Sequence, residues 1–167
     1  MVLEFMLGLV SAFGYLGVFL GSLIASASIF LPVPSFLFVF LAGKLLDPFL
    51  VGVIAGIGSA IGELTAYGIG FGFMYGKKKM SKHGKKKAGS KWASVVSKWF
   101  RGRYGFVLIL VFAATPLPDD VVGLYCGAIK YDIKKFFIAT LIGKIALCLA
   151  LAYAGSYGLG FAVDYFS

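Results

Sequence analysis

The 167-residue chain has little of what marks a soluble catalyst: one histidine, two cysteines, five prolines and seven acidic residues. Charged residues make up 14% and hydrophobic ones 60%, far from the balance of a soluble domain. His83 stands among lysines with no ligand partner near it. Cys126 and Cys148 lie in apolar segments without metal-ligand spacing, so they read as packing residues and no metal site is expected. No charged residue occurs from Phe5 to Gly43, and Pro48 to Gly76 holds only Glu63. Each run exceeds the roughly 20 residues that span a bilayer. The composition describes one integral membrane domain.

Basic residues are abundant and unevenly spread. Of the 16 lysines and arginines, 11 lie between Lys77 and Arg103, where no acidic residue interrupts them. In a membrane protein such a cluster marks the cytoplasmic side, so the segment 76–103 is expected there, in a cell membrane. Its partners are then anionic lipid headgroups rather than nucleic acid. Ala25-Ser26-Ala27 resembles a cleavage site, but no Lys or Arg precedes it and the apolar run continues beyond it. The whole chain is therefore expected to be mature.

Four of the five prolines form two pairs inside apolar sequence, Pro32 with Pro34 and Pro116 with Pro118. Each pair must break a helix, because proline lacks the N–H donor and clashes with the preceding turn. Broken backbone at membrane depth is tolerated only inside protein or beside a watery cavity. Paired breaks thus predict a shared internal site.

In chain order, Val2 to Phe13 and Tyr15 to Ile29 make either one spanning helix or an interfacial helix followed by a descending limb. Phe36 to Leu46 is too short to cross. Asp47-Pro48 reads as the cap and first position of a spanning helix ending near Tyr75. A basic loop, 76–90, follows. Trp92, Val95, Val96, Trp99 and Phe100 then recur at helical spacing, with Arg101 and Arg103 beside them, as in an interfacial helix with tryptophans at headgroup depth. Tyr104 to Ala114 enters the membrane, Val121 to Ile129 returns, and Asp132 caps a last helix from Ile133 to about Tyr157. Residues 158–167 form a tail.

Setting Pro32 on Pro116 also aligns Pro34 with Pro118 and Gly43 with Gly127, and one inserted residue brings Gly58 onto Gly143. The expected architecture is all-α: an inverted repeat (1–75 and 91–157) of interfacial helix, re-entrant helical hairpin and transmembrane helix. The hairpins open on opposite faces, as in many transporters. The side of the N-terminus is left open.

Ionisable groups at membrane depth are functional candidates. Glu63 lies about 22 Å along its helix from Pro48, and Lys144 about 18 Å from Asp132, so the two can pair. As a purely structural matter they would form a stabilising ion pair. Asp119 and Asp120 follow the second break; one can cap the returning helix, while the other, pointing about 100° away, faces the cavity and exchanges a proton. Ser35 is the neutral counterpart after the first break. Hydroxyls near Ser35 and Thr115, beside a helix N-terminus, suit a phosphate.

The order Gly-Tyr-Leu-Gly (14–17), Leu-Pro-Val-Pro-Ser (31–35), Ala-Gly (42–43), Gly-x-x-x-Gly-Glu-x-x-x-Tyr (58–67), Arg-Tyr-Gly (103–105), Thr-Pro-Leu-Pro-Asp-Asp (115–120), Gly127, Gly143-Lys144 and Tyr153-Ala154-Gly155 resembles the DedA superfamily. This is also called the SNARE-associated Golgi protein or VTT-domain family, and the Pro-Leu-Pro-Asp-Asp form looks most like its YqaA-like branch. The resemblance implies facing re-entrant hairpins and movement of lipids between leaflets, as a flippase or scramblase for a polyprenyl-phosphate or phospholipid. The chain departs from it at Ser35, where typical members carry an acidic residue. It departs again at Asp119 and Asp120, where they carry an arginine shortly after the second proline.

The expected function is therefore lipid transport through a polar path lined by Glu63, Asp119, Asp120, Lys144, Ser35 and Thr115. Pro32, Pro34, Pro116 and Pro118 make the breaks, and Trp92, Trp99, Arg101 and Arg103 meet the lipid surface. No cofactor is expected beyond proton or sodium coupling, and a homodimer is compatible with so thin a bundle. The alternatives are an intramembrane polyprenyl-pyrophosphate phosphatase, which wants arginine clamps on phosphate, or a non-transporting scaffold.

Overall fold

A computed structural model describes residues 2–27, 35–80, 100, 104–115 and 120–166. Among the described residues the regular structure is entirely helical: α1 (Val2–Phe13), α2 (Tyr15–Ala27), α3 (Ser35–Leu45), α4 (Pro48–Met80), α5 (Gly105–Ala113), α6 (Asp120–Ala128) and α7 (Ile133–Phe166).

Of the two expectations for the N-terminal run, the one with a break holds. Gly14 sits at φ +57°, a left-handed conformation open to glycine without steric cost. The chain turns there, and α1 folds back on α2 so closely that a Cβ on Gly17 would collide with the Leu9 carbonyl.

Two stretches, Pro48–Met74 in α4 and Ile133–Gly158 in α7, are long and apolar enough to cross a bilayer. Both helices are capped as expected. Asp47 Oδ1 accepts the Leu50 N–H at 3.0 Å. Asp132 Oδ1 accepts those of Lys134 and Lys135 at 2.9 and 3.0 Å. Both also outrun their expected ends. α4 continues past Tyr75 to Met80, because lysine is a good helix former and no breaker intervenes. The expected tail 158–167 is helical to Phe166, since Leu159 to Val163 is itself apolar and free of proline.

α4 and α7 lie antiparallel in close contact. Gly52 meets Leu149 and Gly56 meets Ile145 at backbone distance, the small-residue packing that brings helices together in membranes. The other helices are short and lean on this pair. α2 runs along α4, with Gly58 against Phe19 and Gly62 against Leu23, and ends at Ala27 beside Gly62 and Thr65, about the middle of α4. There the Ser26 hydroxyl donates to the Ser59 carbonyl at 2.9 Å. α3 begins at Ser35 and leads to the start of α4.

α5 and α6 are equally short. Gly143 of α7 packs on Leu110 and Ala113 of α5, and Gly123 of α6 on Glu63 and Ala66 of α4. α6 closes with Lys130 at φ 57°, the Tyr131 N–H reaching Cys126 O at 2.9 Å and the Lys130 N–H reaching Gly127 O at 3.1 Å. This is a Schellman end with lysine where glycine is usual. The Tyr67 hydroxyl donates to the Tyr131 carbonyl and ties that turn to α4.

The closest crossings come in matched pairs. A Cβ on Gly127 would strike the Tyr67 carbonyl, and one on Gly43 would strike that of Ala152. Gly70 meets Leu124 as Gly155 meets Phe40. Within each pair, corresponding residues stand 84 or 85 positions apart. The core falls into two clusters accordingly, one containing Val18, Phe38, Val51 and Cys148, the other Tyr67, Ile109, Cys126 and Phe136. Large apolar side chains such as Leu16, Ile24, Phe73, Val111 and Ile142 point outward.

The expected interfacial helix from Trp92 to Arg101 is described only at Phe100. That residue is helical and buried, with its ring edge-on to Tyr125 at 5.2 Å. Phe100 itself therefore packs on protein rather than on lipid.

Candidate functional site

Glu63 and Lys144 meet inside the bundle. Glu63 is 1% exposed and Lys144 8%, and Lys144 Nζ stands 3.8 Å from Glu63 Oε2. Each is placed by its own helix, capped by Asp47 in one case and Asp132 in the other. The antiparallel crossing brings their mid-points together. A buried ion pair of this kind is costly to desolvate, and at 3.8 Å it is longer than the roughly 2.7–2.9 Å of a tight charge-assisted hydrogen bond.

α6 reaches the carboxylate through Gly123, where a Cβ would stand 2.9 Å from Glu63 Oε1. A side chain there would hold the two helices apart. Beside Glu63 a cleft of about 10 Å³ is lined by Ile109, Phe112 and Ala113 of α5, Val122 of α6, and Phe136 and Thr140 of α7. That is near the space one water molecule needs.

Among the expected site residues, then, the fold joins Glu63 and Lys144 as their depth predicted. Asp120 opens α6 and is half-buried. It shares a helix face with Gly123, three residues on, the residue that touches Glu63. Thr115 departs from expectation: its hydroxyl points back at the Val111 and Phe112 carbonyls, at 3.1 and 3.0 Å. The proton is thus committed to α5 and is not offered to a phosphate. Ser35 begins α3. The Ser35 side chain lies outside the described residues, as do Asp119, Pro32, Pro34, Pro116, Pro118, Trp92, Trp99, Arg101 and Arg103.

Three buried polar residues went unremarked in the sequence: Ser22, Ser59 and Thr140. Ser22, 1% exposed, lies on the α2 face that meets α4, and Thr140, 1% exposed, lines the cleft one turn before Lys144. The signal for Thr140 was its i, i+4 spacing from Lys144, which puts both on one face of α7. Asp132, at the end of α7 away from the cleft, is exposed. Backbone hydrogen bonds, that from Lys135 foremost, hold its carboxyl below the usual carboxylate range.

Two helices long and apolar enough to cross a bilayer, with an ion pair buried between them and helices too short to cross beside them, have the make-up of a helical membrane protein. Within that class the VTT domain matches residues 33–157, and the chain belongs to the VTT-domain family, the DedA and SNARE-associated group. It is 30% identical over 144 residues to an uncharacterised protein of the archaeon Methanocaldococcus jannaschii, covering 85% of this chain and 84% of that protein. No solved structure matches the chain.

Proposed function

We propose that the protein is a lipid transporter of the flippase or scramblase type, moving a polyprenyl-phosphate or phospholipid between leaflets. In this reading α2 with α3, and α5 with α6, are re-entrant hairpins of an inverted repeat, opening on opposite faces. The basic segment 76–103 is cytoplasmic, and the headgroup passes between the hairpin tips while its tails stay in the bilayer. The matched glycine crossings and the antiparallel α4 and α7 support the repeat.

One observation carries the functional reading. The end of α2 and the start of α6 both reach α4 near Glu63, at the depth where Glu63 faces Lys144. The two interrupted helices thus approach the same charged point in the membrane interior. Lys144 supplies a cation to a passing phosphate, and Glu63, released from its partner, takes a proton, which couples the passage to pH. Transport rather than phosphate hydrolysis fits the arginine count: both arginines, Arg101 and Arg103, precede α5 in the chain.

The test is leaflet exchange of a fluorescent phospholipid or polyprenyl phosphate in liposomes holding the purified protein. Exchange in the wild type and a loss of tenfold or more in Glu63→Gln and Lys144→Gln are expected. No exchange at any pH would refute the proposal.

A further inference from the structure

The buried pair has a third polar neighbour that the transport reading does not use. Thr140 is 1% exposed and faces the cleft beside Glu63, and its Oγ1 makes no hydrogen bond to any described residue. A threonine hydroxyl buried without a partner has given up its hydrogen bonds to water with nothing in return. Thr140 needs such a partner more than Thr115 and Thr65 do, because both of those have turned their hydroxyls onto carbonyls of their own helices. The cleft that Thr140 and Glu63 both line measures about 10 Å³, near the least that holds a water, and a buried water needs two to four polar partners. A carboxylate and a hydroxyl are two, one an acceptor and the other able both to donate and to accept.

We infer that the cleft is a binding site for a single water molecule, which donates to the Glu63 carboxylate and is held in place by the Thr140 hydroxyl. Thr140 is thereby a positioning residue for Glu63, acting through the water. Other groups face Glu63 as well. α7 presents Lys144 at 3.8 Å, while α6 presents Cys126 and, on the face of Gly123, Asp120. α5 presents only Ile109, Phe112 and Ala113. On the side of α4 that meets α2 stand two serines, Ser26, which is bonded to Ser59, and Ser22, which is buried. Of these groups only Lys144 favours the ionised carboxylate, and it does so from the side of Oε2. The water supplies the donor on the cleft side, and a donor to the charged form lowers the pH at which a carboxyl takes its proton.

The inference rests on the site named in the transport reading, but its test does not depend on lipid movement. The carboxyl stretch of Glu63 is followed by difference infrared spectroscopy against pH in the full-length protein in bilayers, with Glu63→Gln identifying the band. Thr140→Val should raise the titration midpoint by about one pH unit, a tenfold change in proton affinity, and Thr140→Ser should restore it. A Thr140→Val midpoint equal to wild type, or a shift that Thr140→Ser fails to reverse, overturns the water site. Because the band reports Glu63 alone, a failed liposome assay leaves this result standing, and an unmoved midpoint leaves the transport result standing.

Discussion

Around Glu63 the helices gather Ile109, Val122, Phe136 and Thr140. At the corresponding positions of the other half, 84 or 85 residues away, they gather Ala25, Phe38, Val51 and Ala55 in the cluster that holds Cys148. Lys144 likewise corresponds to Ser59, whose carbonyl takes the hydrogen bond from Ser26. The backbones cross in the same way in both places, as the paired contacts of Gly127 with Tyr67 and Gly43 with Ala152 attest. One crossing closes over an apolar cluster and the other over two charges. The dry version holds the same helices together, so packing alone does not call for the ion pair. Apolar replacements of buried ion pairs are often as stable or more so. In the proposed transport reading, what the pair adds is a charged point for a passing headgroup.

The sharpest way to break this comparison is to remove one charge. Lys144→Met leaves Glu63 buried without its counter-ion and should cost about 3–5 kcal/mol, read as a large fall in thermal unfolding temperature in detergent. The double change Glu63→Gln with Lys144→Met should recover most of that loss. Ser59→Ala, at the corresponding position, should cost under about 1 kcal/mol, because its carbonyl remains to accept from Ser26. Equal losses at positions 144 and 59 would remove the distinction between the halves.

The crossings themselves should respond alike. Gly127→Ala and Gly43→Ala each drive a Cβ into a facing carbonyl and should each cost about 3 kcal/mol through overpacking. Gly68→Ala, with nothing within 4 Å, should instead gain up to about 1 kcal/mol from helix propensity. A smaller effect is expected at the end of α2, where Ser26→Ala deletes the hydrogen bond to Ser59 and should cost about 1 kcal/mol.

Asp132 gives the mildest test. Its carboxyl is held below the usual range in the folded protein by the backbone donors of Lys135 and Lys134. A lowered folded value means its contribution is complete above the unfolded value of roughly 3.9. That contribution is lost as pH falls through the lowered folded value. Asp132→Asn should remove this acid-side slope, measured as unfolding temperature against pH, without altering behaviour at Glu63.

Much of this was legible in the sequence, for local reasons. Asp47 and Asp132 announce helix starts because a carboxylate before an apolar run has one obvious use. Glu63 and Lys144 could be matched because helix rise converts position into depth. Other features depend on tertiary contacts that a linear pattern does not carry. Gly14 could have continued a helix, and only its left-handed backbone makes two. Thr115 looked like a phosphate donor until its hydroxyl turned onto α5, a local bond that any helical threonine can make. Thr140 escaped notice because one threonine in an apolar helix is ordinary until its partner helix brings a carboxylate beside it. Phe100 fitted an interfacial stripe equally well before Tyr125 was found against it.

The central claim is that two interrupted segments enter from opposite faces and meet at the charged centre. Single cysteines at Val33→Cys and Leu117→Cys, with Cys126 and Cys148 replaced by alanine, can be challenged in sealed vesicles of known orientation by a membrane-impermeant thiol reagent applied to one face at a time. The account predicts that position 33 reacts from the outer face and position 117 from the cytoplasmic face. Reaction of both from the same face, or of neither from any face, would contradict it.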